Sequence, residues 1–176
     1  NRYYRTSNKN FTENRQMLGK KQIDWLINAL ASSQAPFKFI VIGGQVLSTE
    51  AWYENHATFA DERHYLLQKI RDAKIEGVVF LDGDRHHTIL SRYKENKDVY
   101  PLYDLTCSSL TAGAHNRKEP LNTNGIEDTF VGQHNFGILN VSGPRKDRVL
   151  KITIFDKDGN SLWTQNIHAK DLKYRR

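Results

Sequence analysis

Two short apolar runs, each cut off by glycine or by Asp-Gly, most constrain what this chain can fold into. Phe37-Lys38-Phe39-Ile40-Val41-Ile42 stops at Gly43-Gly44, and Gly77-Val78-Val79-Phe80-Leu81 stops at Asp82-Gly83-Asp84. Near-continuous apolar runs of this length predict strands buried on both faces, as in a parallel sheet covered by helices. The flanking segments supply the helices. Residues 20–33 place Ile23, Leu26, Ile27, Leu30 and Ala31 on one helical stripe, with Gly19 as N-cap and Ser32-Ser33-Gln34-Ala35-Pro36 as the stop. Thr58-Phe59-Ala60-Asp61 reads as a capping box with Asp in place of Glu. It opens a helix to about Ala73, with Leu66, Leu67, Ile70 and Ala73 facing inward.

Residues 103–107 form a plausible third strand. The period then changes. Residues 136–141 read as a strand, and residues 149–155 alternate, with Leu150, Ile152 and Ile154 on one face. Asp158-Gly159 marks a hairpin turn, and residues 161–167 return with Trp163 and Ile167 on one face. The order predicts an α/β layered domain with a mixed sheet and an antiparallel C-terminal meander. Residues 1–17 and 108–134 read as loops, and residues 45–57 as a loop holding Trp52 and Tyr53. The second of these is long enough to be functional. Its His115, Asn116, Arg117, His134 and Asn135 either line a site mouth or are solvated.

Composition removes several classes. The 176 residues suit one domain with a sizeable core, or part of a larger one. No apolar run approaches the ~20 residues of a membrane-spanning helix. A single cysteine, Cys107, excludes an internal disulfide framework and a Cys-rich zinc module; it reads as a buried, inert thiol. Lys and Arg number 26 against 20 Asp and Glu, a surplus of +6. That surplus suits acidic partners such as phosphate esters or anionic polymers, or is a solvated basic surface. No recognised nucleic-acid motif is present, so nucleic acid is not the expected partner. The chain begins Asn1-Arg2 without Met or a signal-peptide pattern, which predicts an excised piece of a longer precursor.

The stretch richest in chemistry is Asp82-Gly83-Asp84-Arg85-His86-His87, directly after a buried strand. Ligands gather at the carboxyl ends of such strands. A carboxylate and an imidazole two residues apart reach a metal ion from a tight turn, and Gly83 lets the backbone bend there. A polar turn bonded to its own backbone is the other reading. Gln45, just past Gly43-Gly44 at a second strand end, either offers its amide to substrate or ion or is simply a loop-start glutamine. Arg2-Tyr3-Tyr4-Arg5 holds two arginines able to clamp a phosphate, or simply to pair at the surface.

These motifs, in order, resemble the PhoD-like (alkaline phosphatase D) family of calcineurin-like metallophosphoesterases. Leu18-Gly19-Lys20-Lys21-Gln22-Ile23-Asp24-Trp25-Leu26 is similar to that family's LGxxQxxWL helix. The Gln45-Val46 turn, residues 79–86, residues 100–111 and Asn135-Phe136-Gly137 follow in the same sequence, the whole spanning about residues 1 to 167. The resemblance implies a four-layer α/β/β/α sandwich that hydrolyses phosphate mono- or diesters at a centre of two divalent or trivalent ions (Fe, Zn, Mn or Ca). It assigns Asp84 and His86 as metal ligands. Asp84 stands where the wider superfamily has the first His of Gly-His-x-His, which implies harder, oxygen-rich ligation. Gln45 falls near a Val-x-x-His ligand without being His.

The candidate catalytic residues are therefore His87 and Arg5, and the substrate-binding ones Arg2, Arg5, Gln45 and Arg85. Of the superfamily's earlier motifs, Gly-Asp-x-x-Asp and Gly-Asn-His-Asp/Glu do not occur in this sequence, and its one Asp-x-His, Asp84-Arg85-His86, is the segment already matched to the last metal motif. Two ligands cannot hold two ions. The expectation is that residues 1–176 are the C-terminal portion of a single metallophosphatase domain, inactive alone, whose partner is the N-terminal half. Export or a periplasmic location is what the resemblance implies. The competing expectations are a basic, non-catalytic α/β domain that holds a polyanion, and a domain that only completes another chain's sheet.

Overall fold

Helix α1 (Lys20–Ser32) and helix α2 (Ala60–Asp72) cover a sheet of four strands: β1 (Lys38–Val41), β2 (Val78–Asp82), β3 (Thr88–Tyr93) and β4 (Leu102–Cys107). The computed structural model describes residues 5–7, 15–116 and 122–174. The strand order is β1-β2-β4-β3, with β1, β2 and β4 parallel and β3 antiparallel to β4. A second sheet is the antiparallel meander β5 (Asn135–Ser142), β6 (Val149–Asp156) and β7 (Ser161–His168). The expected mixed sheet and terminal meander are both present. No helix among the described residues is long and apolar enough to cross a membrane.

One hydrophobic cluster joins the layers. It runs from Ile23 and Leu30 of α1 and Leu66 and Ile70 of α2, through Phe80 and Leu105, to Leu150, Ile152 and Ile154 of β6. The alternation along β6 follows from its place at the centre of its sheet, where one face alone is covered. At the β6–β7 turn, Asp156 Oδ1 accepts the backbone N–H groups of Asp158 and Asn160, which fixes the hairpin read from Asp-Gly.

Glu62 ties α2 to the start of α1. Its Oε1 accepts the N–H groups of Met17 and Leu18 at 2.9 and 2.8 Å, and its Oε2 that of Gly19 at 2.9 Å. Gly19 has no side chain to cap the helix, so a carboxylate from another element satisfies the donors leading into it.

Several expectations are corrected. Thr58 does not cap a helix: Asn55 accepts from Ala57 N, a 3-10 turn (His56–Phe59) follows, and α2 begins after it. Ala31 and Ala73 face solvent. β1 is buried on one face only, because Phe39 is 39% and Val41 74% exposed. Strand β3 was not anticipated. Residues 122–131 lie along it through bridges of Thr88 with Val131 and Ser91 with Gly125, so part of the long loop covers its outer edge.

Candidate active site

The carboxyl end of β2 delivers the Asp82–His87 segment to the rim of the sheet, beside β4 through the register pair Asp82 and Thr106. The turn is built unlike the one Gly83 suggested. The left-handed backbone falls on Asp84 (φ 69°) and His86 (φ 57°). Non-glycine residues adopt this region uncommonly, and such outliers cluster at functional sites. Asp84 and His86 are both exposed, and among the described residues neither side chain carries a hydrogen bond or ion pair. Together with Tyr53, Arg85, Gly113, Ala114 and His115 they line a cavity of about 400 Å³. Three of its seven lining residues, Tyr53 (φ 56°), Asp84 and His86, have positive φ, out of six such non-glycine residues among the described ones.

Two loops form the other walls. The first, residues 43–55, has a fixed base. Asp104 on β4 is 1% exposed and its Oδ2 accepts Val46 N and Leu47 N at 2.8 and 2.6 Å. Arg63 donates to Ser48 O, Asn124 to Leu47 O and Asn55 to Glu50 O. The tip, Ala51-Trp52-Tyr53, is exposed, as is Thr49. The second loop is pinned to the turn itself: His115 N donates to His86 O at 2.7 Å, and Ser108 Oγ donates to His87 O at 3.2 Å.

The candidate residues separate. Asp84, His86 and Arg85 share the cavity. Arg85, although it lines the cavity, is nine-tenths buried: its Nη1 donates to Trp52 O at 3.1 Å and its guanidinium lies 5.0 Å from the Tyr53 ring centre. His87 sits beneath the wall, fully buried, with its ring 5.2 Å from Phe130 and 6.2 Å from His115. Gln45 is buried and its amide donates to Thr106 Oγ1 at 3.2 Å, away from the cavity lining. Arg5 forms an ion pair with Glu54, next to the exposed tip. Arg2 lies outside the described residues. His115, held back as a possible mouth residue, is on the cavity wall. His134 instead directs Nδ1 to Ser109 O at 3.0 Å. Asn135 is structural, accepting from Thr88 Oγ1 at 2.6 Å. The place of Tyr53 on the cavity wall was missed from the sequence; two adjacent aromatics, Trp52 and Tyr53, in a polar loop were the available signal.

Among the described residues no three His, Cys, Asp or Glu side chains gather around a point fit for a metal ion. Asp84 and His86 nevertheless have the donor chemistry of a partial ligand set, a hard carboxylate and an imidazole on one wall of one cavity. Cys107 supplies no further donor there. It is half-buried between the two sheets, and burial pushes its thiol up from the usual value, as expected of an inert side chain.

Comparison with known proteins bears on the fold and the family. A solved structure described as the structure of PhoD matches with a TM-score of 0.61 at 16% identity, covering 88% of this chain and 36% of that one. At that identity the likeness speaks for the fold, a metallophosphoesterase-like α/β arrangement, and this chain spans about a third of the PhoD chain's length. No curated protein matches the sequence. The profile of the family described as PhoD-like phosphatase matches residues 2–142, most of the chain, and the chain therefore belongs to the PhoD-like phosphatase family.

Proposed function

We propose that the cavity at the end of β2 is one wall of a metal-dependent phosphoesterase site, acting on phosphate mono- or diesters. The carrying observation is that Asp84 and His86, both in left-handed backbone, present free side chains to one cavity at a parallel-strand end. These two residues would hold the metal. A bound divalent or trivalent ion (Fe, Zn, Mn or Ca) supplies Lewis acidity toward a phosphoryl oxygen and lowers the pKa of water. The chain's own residues do the rest. His115, half-buried on the facing wall, is placed to hand a proton to a departing oxygen. His87 and Phe130 pack behind it and fix its wall. Arg5, paired with Glu54, steadies the loop that carries Tyr53.

Two donors are too few for a dinuclear centre, so the remaining ligands come from a further part of a PhoD-like polypeptide. The coverage of about a third of PhoD supports this, as does the open apolar face. Exposed Val41 borders a cleft of about 340 Å³ lined by Leu81, Asp82, Leu105, Cys107, Gly137 and Leu139. By itself this chain is then a weak metal binder without turnover.

The test joins this chain to the rest of a PhoD-like polypeptide and measures bound metal and hydrolysis of p-nitrophenyl phosphate and its diester. Asp84→Asn and His86→Ala are expected to lower both by about 100-fold or more while circular dichroism is unchanged. Full activity in both variants refutes the assignment. Phosphate-ester binding without hydrolysis in the joined protein favours the non-catalytic polyanion domain instead.

A further inference from the structure

Independently of the active-site reading, we infer that a second cavity, at the opposite end of β2, is a binding site for a group of linked phosphates. Its volume is about 340 Å³, at the small end for ligand sites. It lies between the C-terminal ends of α1 and α2, the loop before β6 and the 3-10 turn after β7 (Ala169–Leu172). Lys38, Lys74, Arg145 and Lys173 line it, against a single carboxylate, Glu76. That surplus of three positive charges is half the +6 of the whole chain, so the basic charge is concentrated here and not spread evenly over the surface. The cavity of Asp84 and His86, by contrast, is lined by one carboxylate and one guanidinium. Cations crowded into a concave site repel one another and together focus their field on an anion there.

The fold holds these side chains in place without using up their charge. Lys38 alone serves the helix ends: its Nζ donates to Ala35 O at 3.0 Å and to Glu76 O at 2.9 Å, carbonyls just beyond α1 and α2. Glu76 Oε1 accepts Tyr174 N at 3.2 Å. The side chains of Lys74, Arg145 and Lys173 are exposed and, among the described residues, carry no hydrogen bond or ion pair. Their backbones are anchored. Gly77 N donates to Leu172 O at 3.0 Å, so Lys173 sits between two bonded neighbours, Leu172 and Tyr174. Lys170 lies 3.8 Å from Asp147, whose N–H donates to Pro144 O at 2.9 Å, which steadies the loop carrying Arg145. At the end of α2, Lys74 N donates to Arg71 O and Ile75 N to Ile70 O, a Schellman closure with Lys74 at φ 49°. Glycine is the usual residue in that place; Lys74 puts a cation on the cavity wall despite the left-handed backbone. Ammonium point charges beside the planar fork of Arg145 suit the multiply charged oxygens of linked phosphates.

Isothermal titration of this chain, in buffer stripped of metal by a chelating resin, compares tripolyphosphate with orthophosphate. Tripolyphosphate is expected to bind at least about tenfold tighter. Lys74→Gly should weaken it by about fivefold while stability holds or rises, because glycine suits φ 49°. Adding Arg145→Gln and Lys173→Gln should abolish binding. Lys20→Gln, Lys21→Gln and Lys157→Gln together remove as many charges from outside the cavity, and should change the affinity by less than about twofold. Asp84→Asn should leave it unchanged. Adenosine triphosphate separates two carriers of the same chemistry: binding no tighter than tripolyphosphate shows that the phosphates alone are read, and tighter binding that a nucleotide carries them, and both support the site. Absence of tripolyphosphate binding, an equal loss in the outside triple variant, or loss with Asp84→Asn overturns the inference and leaves the active-site proposal standing.

Discussion

The carboxylate of Asp104, in the middle of β4, accepts the backbone N–H of Leu47 at 2.6 Å across the sheet end. It also accepts Val46 N, so one buried side chain closes the base of the loop that carries the cavity's lip. Asp104→Ala leaves two buried donors unmet and should lower stability by about 2–5 kcal/mol in urea unfolding.

Glu62 gives a second test of the same device. Its three backbone acceptor contacts hold residues 17–19 at the start of α1. Glu62→Ala is expected to cost about 2–3 kcal/mol, and Glu62→Gln about half as much because it keeps one acceptor oxygen. Hydrogen exchange should show the loss concentrated at Met17, Leu18 and Gly19.

Gly77 enters β2 with φ +76°, and a Cβ there would lie 2.2 Å from the Pro36 carbonyl oxygen. Backbone stands on both sides of that contact. Gly77→Ala should therefore destabilise the protein by about 3 kcal/mol or more, seen as a lower thermal midpoint. Gly159, also at positive φ but in open space, should tolerate Ala at the smaller cost of its backbone strain alone.

Tyr100 sets an alkaline limit. Its hydroxyl is buried and donates to Ile75 O at 2.7 Å, and burial, followed by the neighbouring Tyr174, pushes its pKa well above the ordinary tyrosine value. The folded chain thus holds this proton more tightly than the unfolded one. Its contribution is intact below the unfolded value of about 10 and is lost as pH rises from there toward the folded value. Unfolding free energies measured from pH 7 to 11 should fall above about pH 10. Tyr100→Phe should be about 1 kcal/mol less stable at pH 7 and should flatten that fall.

Asp84→Gly separates stability from function at the turn. Glycine accepts φ 69° freely, so stability should hold or rise by up to about 1 kcal/mol. Metal retention in the joined protein should nonetheless drop, as measured by metal analysis after gel filtration.

How much was legible follows from the range of each interaction. The runs at residues 37–42 and 77–81 reported strands, residues 20–33 a helix and Asp-Gly a hairpin, since periodicity and turn chemistry are local, but whether both faces of β1 are covered was not legible because that depends on distant elements. Strand β3 gave no such signal. Thr88-Ile89-Leu90-Ser91 is buried at every position because residues 122–131 cover it, and that contact is long-range. The capping box failed at Thr58 because Asn55, three residues earlier, had already begun a 3-10 turn.

By itself, then, the sequence determined the order of the two helices and of every strand but β3, the family motifs and the pairing of a carboxylate with an imidazole at a strand end. These depend on side-chain chemistry and on neighbours only a few residues away. Only the tertiary structure decided that Asp84 and His86 share one cavity and that His87 lies behind its wall. It also turned Arg85 toward Tyr53 and left one face of β1 open. Those outcomes depend on which loops meet at the sheet's rim, and Asp104, Arg63 and Asn124 reach loop 43–55 from positions 15 to 77 residues away in the chain.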